Sequence, residues 1–167
     1  VRKHLNLVKE LARILGKITR EFHNCLFEYG IDMVFICDDW AFKNKLIYNP
    51  KHWNEIVKPV YKELAKNAHA HDAHFLVHSD GDVRETLPFL VDARVDAIEP
   101  LESEAGIKLK PLKKHFGDKI TLIGNIAASD ILTFGTIEDT INATKQAIMD
   151  AASGGGYVLG AGSDILG

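Results

Sequence analysis

The feature that most restricts what this chain can fold into is an alternation. Five short segments rich in apolar residues are separated, one by one, by stretches with helical spacing. The five are Met33–Cys37, Phe75–Val77, Asp96–Ile98, Ile120–Ile123 and Tyr157–Leu159. Each is too short for a stable helix and is bounded by turn formers, so each is read as a strand. Strands joined through helices cannot pair as hairpins, so the crossovers force them parallel in one sheet. Met33–Cys37, a continuous apolar run, suits a strand buried on both faces.

The intervening stretches carry their own signals. Residues 3–28 place Leu7, Leu11, Ile14, Leu15, Ile18, Phe22 and Leu26 on one stripe, and Gly30 ends that helix. Asn49-Pro50 supplies an N-cap and first turn for a helix burying Trp53, Ile56, Val57, Val60, Tyr61, Leu64 and Ala68. Pro59 predicts a kink or break within it. A helix over 83–93 is expected to be capped by Asp82, despite Pro88 near its middle. A short helix covers 106–116. Thr136 caps the last, to Ala152, with Glu138 and Asp139 in its first turn. Gly154-Gly-Gly156 stops that helix; preceding a strand rather than following one, it is no phosphate loop.

Polar residues collect where the strands end: Asp38 and Asp39, His78 and Asp80, Glu99 and Glu102, Asn125, Ser163 and Asp164. The strand starts carry no comparable cluster. In a parallel sheet all these ends share one side. In a closed (β/α)8 TIM barrel they ring the mouth where such barrels place their chemistry. No glycine-rich loop follows a strand, as a nucleotide-binding open sheet would require. A complete barrel takes about 250 residues. The 167 residues here are therefore expected to hold the last five strands of an α/β barrel, as a single domain and a C-terminal fragment that stops at Ile165-Leu-Gly167.

Each polar residue also has a purely structural reading. Asp38 and Asp39 are turn formers, and one of them is expected to face the cavity. Trp40 is either core or a wall on which substrate stacks. Glu99-Pro-Leu-Glu102 fits an exposed acidic loop, Asn125 a left-handed turn position, and His69 and His71 a helix end that favours cations. His78 and Asp80, flanking one residue at the mouth of a buried strand, have the spacing to bind a metal or move a proton.

Composition removes several classes of function. A net charge of -3 gives no basic field for nucleic acid or an anionic membrane, and the apolar runs are too short to span a bilayer. The two cysteines, Cys25 and Cys37, form no disulfide framework; they read as reduced core thiols of a cytoplasmic protein.

From about Gly30 onward the chain resembles the uroporphyrinogen decarboxylase superfamily, which includes zinc-dependent methyltransferases acting between corrinoid proteins and thiols. The residues that carry the resemblance are Gly30-Ile-Asp, Asp38-Asp39, Asn49-Pro50, His78-Ser-Asp-Gly81, Val95-Asp-Ala-Ile-Glu-Pro100, Gly124-Asn125, Gly135-Thr136, Gly154-Gly-Gly-Tyr157 and Gly162-Ser163, in that order. The resemblance implies a TIM barrel, in agreement with the strand pattern. It also implies two chemistries. In the methyltransferases a His-x-Cys pair and a second cysteine after the last strand hold zinc. Here His78 matches, Asp80 stands at the first cysteine, and Ser163 falls near the second. Asp80 can ligate zinc; a neutral serine is a poor ligand. A third ligand would come from Glu99, Glu102, Asp164 or another part of the barrel.

Under the first chemistry, metal at His78 and Asp80 activates a thiol or similar acceptor, and the methyl donor is a corrinoid protein docking at the mouth. Under the second, the protein decarboxylates the acetate side chains of uroporphyrinogen in porphyrin biosynthesis without a cofactor. Asp38 or Asp39 and His78 then serve the tetrapyrrole pocket. A non-catalytic barrel relative is the third possibility. Trp40, Glu99, Glu102, Asn125, Ser163 and Asp164 are the candidate substrate contacts. The reading leans to methyl transfer, because the mouth is acidic and a substrate bearing carboxylates needs basic neighbours.

Overall fold

The computed structural model describes residues 3–165. Its centre is a five-stranded parallel sheet of β1 (Met33–Cys37), β4 (His74–His78), β5 (Ala97–Glu99), β6 (Thr121–Ile126) and β7 (Tyr157–Ala161), in that spatial order. The helices are α1 (Leu5–Glu28), α2 (Pro50–His69), α3 (Leu87–Asp92), α4 (Leu109–Phe116) and α5 (Ile137–Ala151). Strand order follows chain order with a helix in each crossover, the wall of a (β/α)8 barrel. The sequence pattern anticipated this. It did not anticipate a small antiparallel hairpin, β2 (Ala41–Phe42) with β3 (Lys45–Leu46), or the π-helical turn Ala128–Thr133.

Capping explains where several helices begin. Asn49 accepts the Lys51 N–H (2.9 Å), and Thr136 and Asp139 form a reciprocal capping box. α3 starts at Leu87 rather than at residue 83, so Pro88 falls in its first turn, where its missing N–H costs nothing. Asp82 is accordingly not its cap; that carboxylate pairs with Arg84. α4 starts at Leu109 because Gly106, at φ 78°, closes a separate 3-10 turn. α2 runs unbroken through Pro59, held by Ile56, Tyr61 and Leu64, which are buried on either side of it.

The core lies between the sheet and the helices. Phe75, Val77, Ile98 and Leu122 enter it from the strands, and Trp53, Tyr61, Leu64 and Leu90 from the helices. The opposite face of the sheet is only partly covered among the described residues: Phe35 is exposed, Leu76 and Ile123 are half-buried and Ala97 is buried. β1 is therefore buried on one face only: Val34 is covered, whereas Met33, Phe35 and Cys37 are exposed. Neither cysteine is a core thiol, as Cys25 is exposed too. The stripe on α1 is likewise mostly exposed; α1 packs on α2 and buries only His23 completely. Among the described residues no helix is long and apolar enough to cross a membrane.

Two glycines make close approaches possible at the strand ends. β6 continues through Gly124 and Asn125, past the predicted end, because Gly124 at φ 100° lies against the Pro100 and Ala161 carbonyls, where a Cβ would collide. Gly81, at φ 84°, has no room for a side chain either: a Cβ would sit 2.6 Å from the Phe42 carbonyl oxygen.

Candidate functional site

Two loops are clasped together at the ends of β1 and β4. The Asp82 N–H donates to the Phe42 carbonyl (2.9 Å), and the Trp40 N–H donates to Ser79 Oγ (3.1 Å). The Asp80 N–H donates to Asp39 Oδ1 (3.0 Å). Gly81 permits this contact. The unanticipated hairpin is thus the element that fixes the His78-Ser-Asp-Gly81 loop against Asp38-Asp39.

The clasp gathers three of the predicted residues. His78 Nε2 lies 3.6 Å from Asp39 Oδ1 and 3.8 Å from Asp80 Oδ1, and ligand atoms of all three fall within 4.8 Å of one another. On the other side of the ring, His78 Nδ1 is 2.6 Å from Glu99 Oε1. An ionised carboxylate only accepts, so Nδ1–H donates to Glu99, and Nε2 is the ring nitrogen left facing the two aspartates. Asp80 Oδ1 is buried and has no hydrogen-bond partner.

The electrostatics follow from this crowding. The Glu99 hydrogen bond raises the His78 pKa above its ordinary 6.5, outweighing burial, with Asp80 and Asp39 adding to it. Burial raises the Asp80 carboxyl above its ordinary 3.8; His78 opposes this, and Asp39, Asp164 and Glu99 reinforce it. Glu102, 7% exposed, is raised chiefly by burial and further by Asp80, while the Gly81 N–H acts against the shift. Acids held together with so little cationic compensation form a site that a cation would relieve.

Other predicted residues lie elsewhere in the packing. Trp40 is no exposed stacking wall: it is 1% exposed, packs edge-on against Trp53 and Tyr61, and donates its indole N–H to Thr86 Oγ1 (3.1 Å). Asp38 accepts the Tyr61 hydroxyl (2.9 Å), so of the adjacent acids it is Asp39 that meets His78. Asn125, at φ 79°, spends its amide on the Leu101 and Ile107 carbonyls (2.7 and 3.0 Å), bracing the loop after β5. Ser163 is half-buried and Asp164 exposed beyond β7.

The strand starts do carry a cluster, against expectation. His69 Nε2 is 2.8 Å from Asp96 Oδ2, which also accepts the Phe75 N–H (2.7 Å), and His74 stands 3.9 Å from the other oxygen. His69 therefore does more than close a helix end: it engages Asp96. Sequence spacing missed the group because His69 closes α2 while Asp96 precedes β5.

Among known proteins, the chain is 22% identical over 121 residues to the methylated-thiol–coenzyme M methyltransferase of Methanosarcina mazei; the match takes in 72% of this chain and 30% of that protein. A solved methyltransferase structure from Methanosarcina mazei superposes with a TM-score of 0.72 at 19% identity, covering 90% of this chain and 42% of the other. The chain thus spans less than half the length of these relatives, and the structural likeness is one of fold. The family model for uroporphyrinogen decarboxylase (URO-D) matches residues 1–167. Sequence match and barrel topology agree, and the chain belongs to the URO-D family.

Proposed function

We propose that this chain forms the metal-binding wall of a methyltransferase, which passes a methyl group from a methylated corrinoid protein to a thiol or similar acceptor. The observation that carries the proposal is His78 Nε2 facing Asp39 and Asp80, with its Nδ1–H taken up by Glu99. The donor set fits zinc, which accepts imidazole nitrogen and carboxylate oxygen. The buried, unpartnered Asp80 Oδ1 is an acceptor that a cation would satisfy. Zinc, when bound, lowers the pKa of a coordinated thiol and makes a nucleophile at neutral pH.

The chain's own residues have distinct parts in this reading. His78, Asp80 and Asp39 hold the metal. Glu99 fixes the imidazole tautomer and orientation, the usual outer partner of a ligating histidine. Glu102 and Asp164, with their negative charge, add to the potential that retains a cation. Ser163 stands with Asp164 beyond β7, on the side from which acceptor and corrinoid partner would approach. The name of the Methanosarcina mazei relative supports the methyl-transfer direction. The acidic mouth tells against a substrate bearing many carboxylates, so decarboxylation of uroporphyrinogen is the weaker reading.

Metal analysis of the intact protein, purified without chelator, provides the test. We expect near-stoichiometric zinc that is lost in His78→Ala, together with thiol-dependent decay of the methyl–cobalt absorbance of a methylcorrinoid in the wild type alone. No metal in the wild type, with consumption of uroporphyrinogen, would replace this proposal by the decarboxylase.

A further inference from the structure

We propose that Ser79 is a positioning residue of this same metal site, its buried hydroxyl setting where Asp39 and Asp80 stand relative to His78. The inference rests on the metal reading above and deepens it. Three observations carry it.

First, Ser79 lies between two of the ligands without sharing their direction. Successive side chains of an extended chain leave in opposite directions. Burial follows that alternation past the end of β4: Val77 and Ser79 are buried, whereas His78 and Asp80 are half-buried. Ser79, 1% exposed, therefore points back toward the core, beneath the ligands.

Second, its polar groups are committed to the strand ends that bear the site. Its N–H donates to the Glu99 carbonyl (3.1 Å). Its Oγ accepts the N–H of Trp40, the residue after Asp39 (3.1 Å), and donates to the Asp80 carbonyl (3.0 Å). One residue thus ties together the ends of β1, β4 and β5. The Asp80 N–H, donating to Asp39 Oδ1 (3.0 Å), runs the other way and laces the two loops a second time.

Third, the position needs an oxygen that accepts and donates at once, one bond beyond Cβ. Alanine has none, and threonine adds a methyl group where nothing is exposed to receive it. Ser79→Ala leaves the Trp40 N–H, in a residue itself 1% exposed, without its acceptor, and frees the segment that carries Asp39. A clasp that favours metal binding is in turn favoured by the metal, by the same factor.

Zinc(II) and cobalt(II) are the probes, and Thr86 supplies the control. Thr86 Oγ1 accepts the Trp40 indole N–H (3.1 Å) and is buried, so Thr86→Val weakens the same core without cutting the Ser79 bonds. In the intact protein, Ser79→Ala should weaken zinc binding by ~10–100-fold, the usual loss with an outer partner, and alter the visible d–d bands of the cobalt(II) form. Thr86→Val should lower the melting temperature and keep the wild-type affinity and bands. In the wild type, zinc should slow amide hydrogen exchange at Trp40 and Asp80 by ~tenfold more than at Leu122, a core amide of β6. This second measurement decides the matter if Ser79→Ala does not fold. Equal losses of zinc affinity in the two variants, or exchange at Trp40 and Asp80 slowed no more than at Leu122, would overturn the inference and leave the metal reading intact. Absence of any metal binding by the wild type would overturn both.

Discussion

Each end of the sheet holds a histidine against a carboxylate, at nearly the same separation, yet the two pairs differ in what surrounds them. At the strand starts His69 Nε2 lies 2.8 Å from Asp96; at the strand ends His78 Nδ1 lies 2.6 Å from Glu99. Asp96 is also engaged by the Phe75 N–H, so this pair fastens the end of α2 to the beginnings of β4 and β5. At the other end, the nitrogen that the pair leaves over faces two more carboxylates, one of which has a buried oxygen without a donor. A histidine–carboxylate distance does not separate a brace from a site. The partners of the remaining nitrogen and of the carboxylate do.

Substitutions at the two ends should therefore part company. The largest effect is expected from His78→Ala, which should weaken zinc binding by more than the ~10–100-fold that loss of an outer partner costs. His69→Ala should leave the zinc affinity of the intact protein unchanged in the same titration. Equal losses from both would show that the two histidines act through folding alone. Next in size, Glu99→Gln should weaken zinc binding ~10–100-fold while the protein stays folded, since it disturbs only the orientation and basicity of His78.

Asp96→Ala sharpens the comparison from the other side. It leaves the buried Phe75 N–H without its acceptor, and should cost about 1–3 kcal/mol in urea unfolding with no change in metal affinity. The smallest effect is a pH dependence of the metal-free protein. The folded His78 pKa is raised, so its pairing adds stability that is complete below the unfolded value of about 6.5 and is lost as pH rises through the folded value. Glu99→Gln should lower the His78 pKa followed by NMR and flatten that part of the stability profile. An unchanged profile would mean that Glu99 does not govern the ring.

Much of the architecture was legible because it depends on local chemistry. Thr136 with Asp139, and Asn49 ahead of Pro50, mark helix starts through hydrogen bonds closed within a few residues. The boundaries that moved did so for longer-range reasons. β6 passes through Gly124-Asn125 because β7 pairs with it there, and α2 survives Pro59 because its flanking residues are buried. Trp40 belongs to the core because Trp53, Tyr61 and Thr86 converge on it from other elements. The same limit applies to the site. That polar residues gather at the strand ends was visible in sequence, but the meeting of Asp39 with His78 depends on a hairpin of two-residue strands too short to leave a periodic signal.

The sequence by itself determined a parallel sheet with its acids gathered at one edge, since helical crossovers force strands parallel, and the lack of a glycine-rich loop after any strand favoured the barrel over an open sheet. Only the tertiary structure decided which acid serves which partner. Asp38 and Asp39 are adjacent and chemically alike, but successive side chains of an extended chain leave in opposite directions. One meets the Tyr61 hydroxyl and the other meets His78.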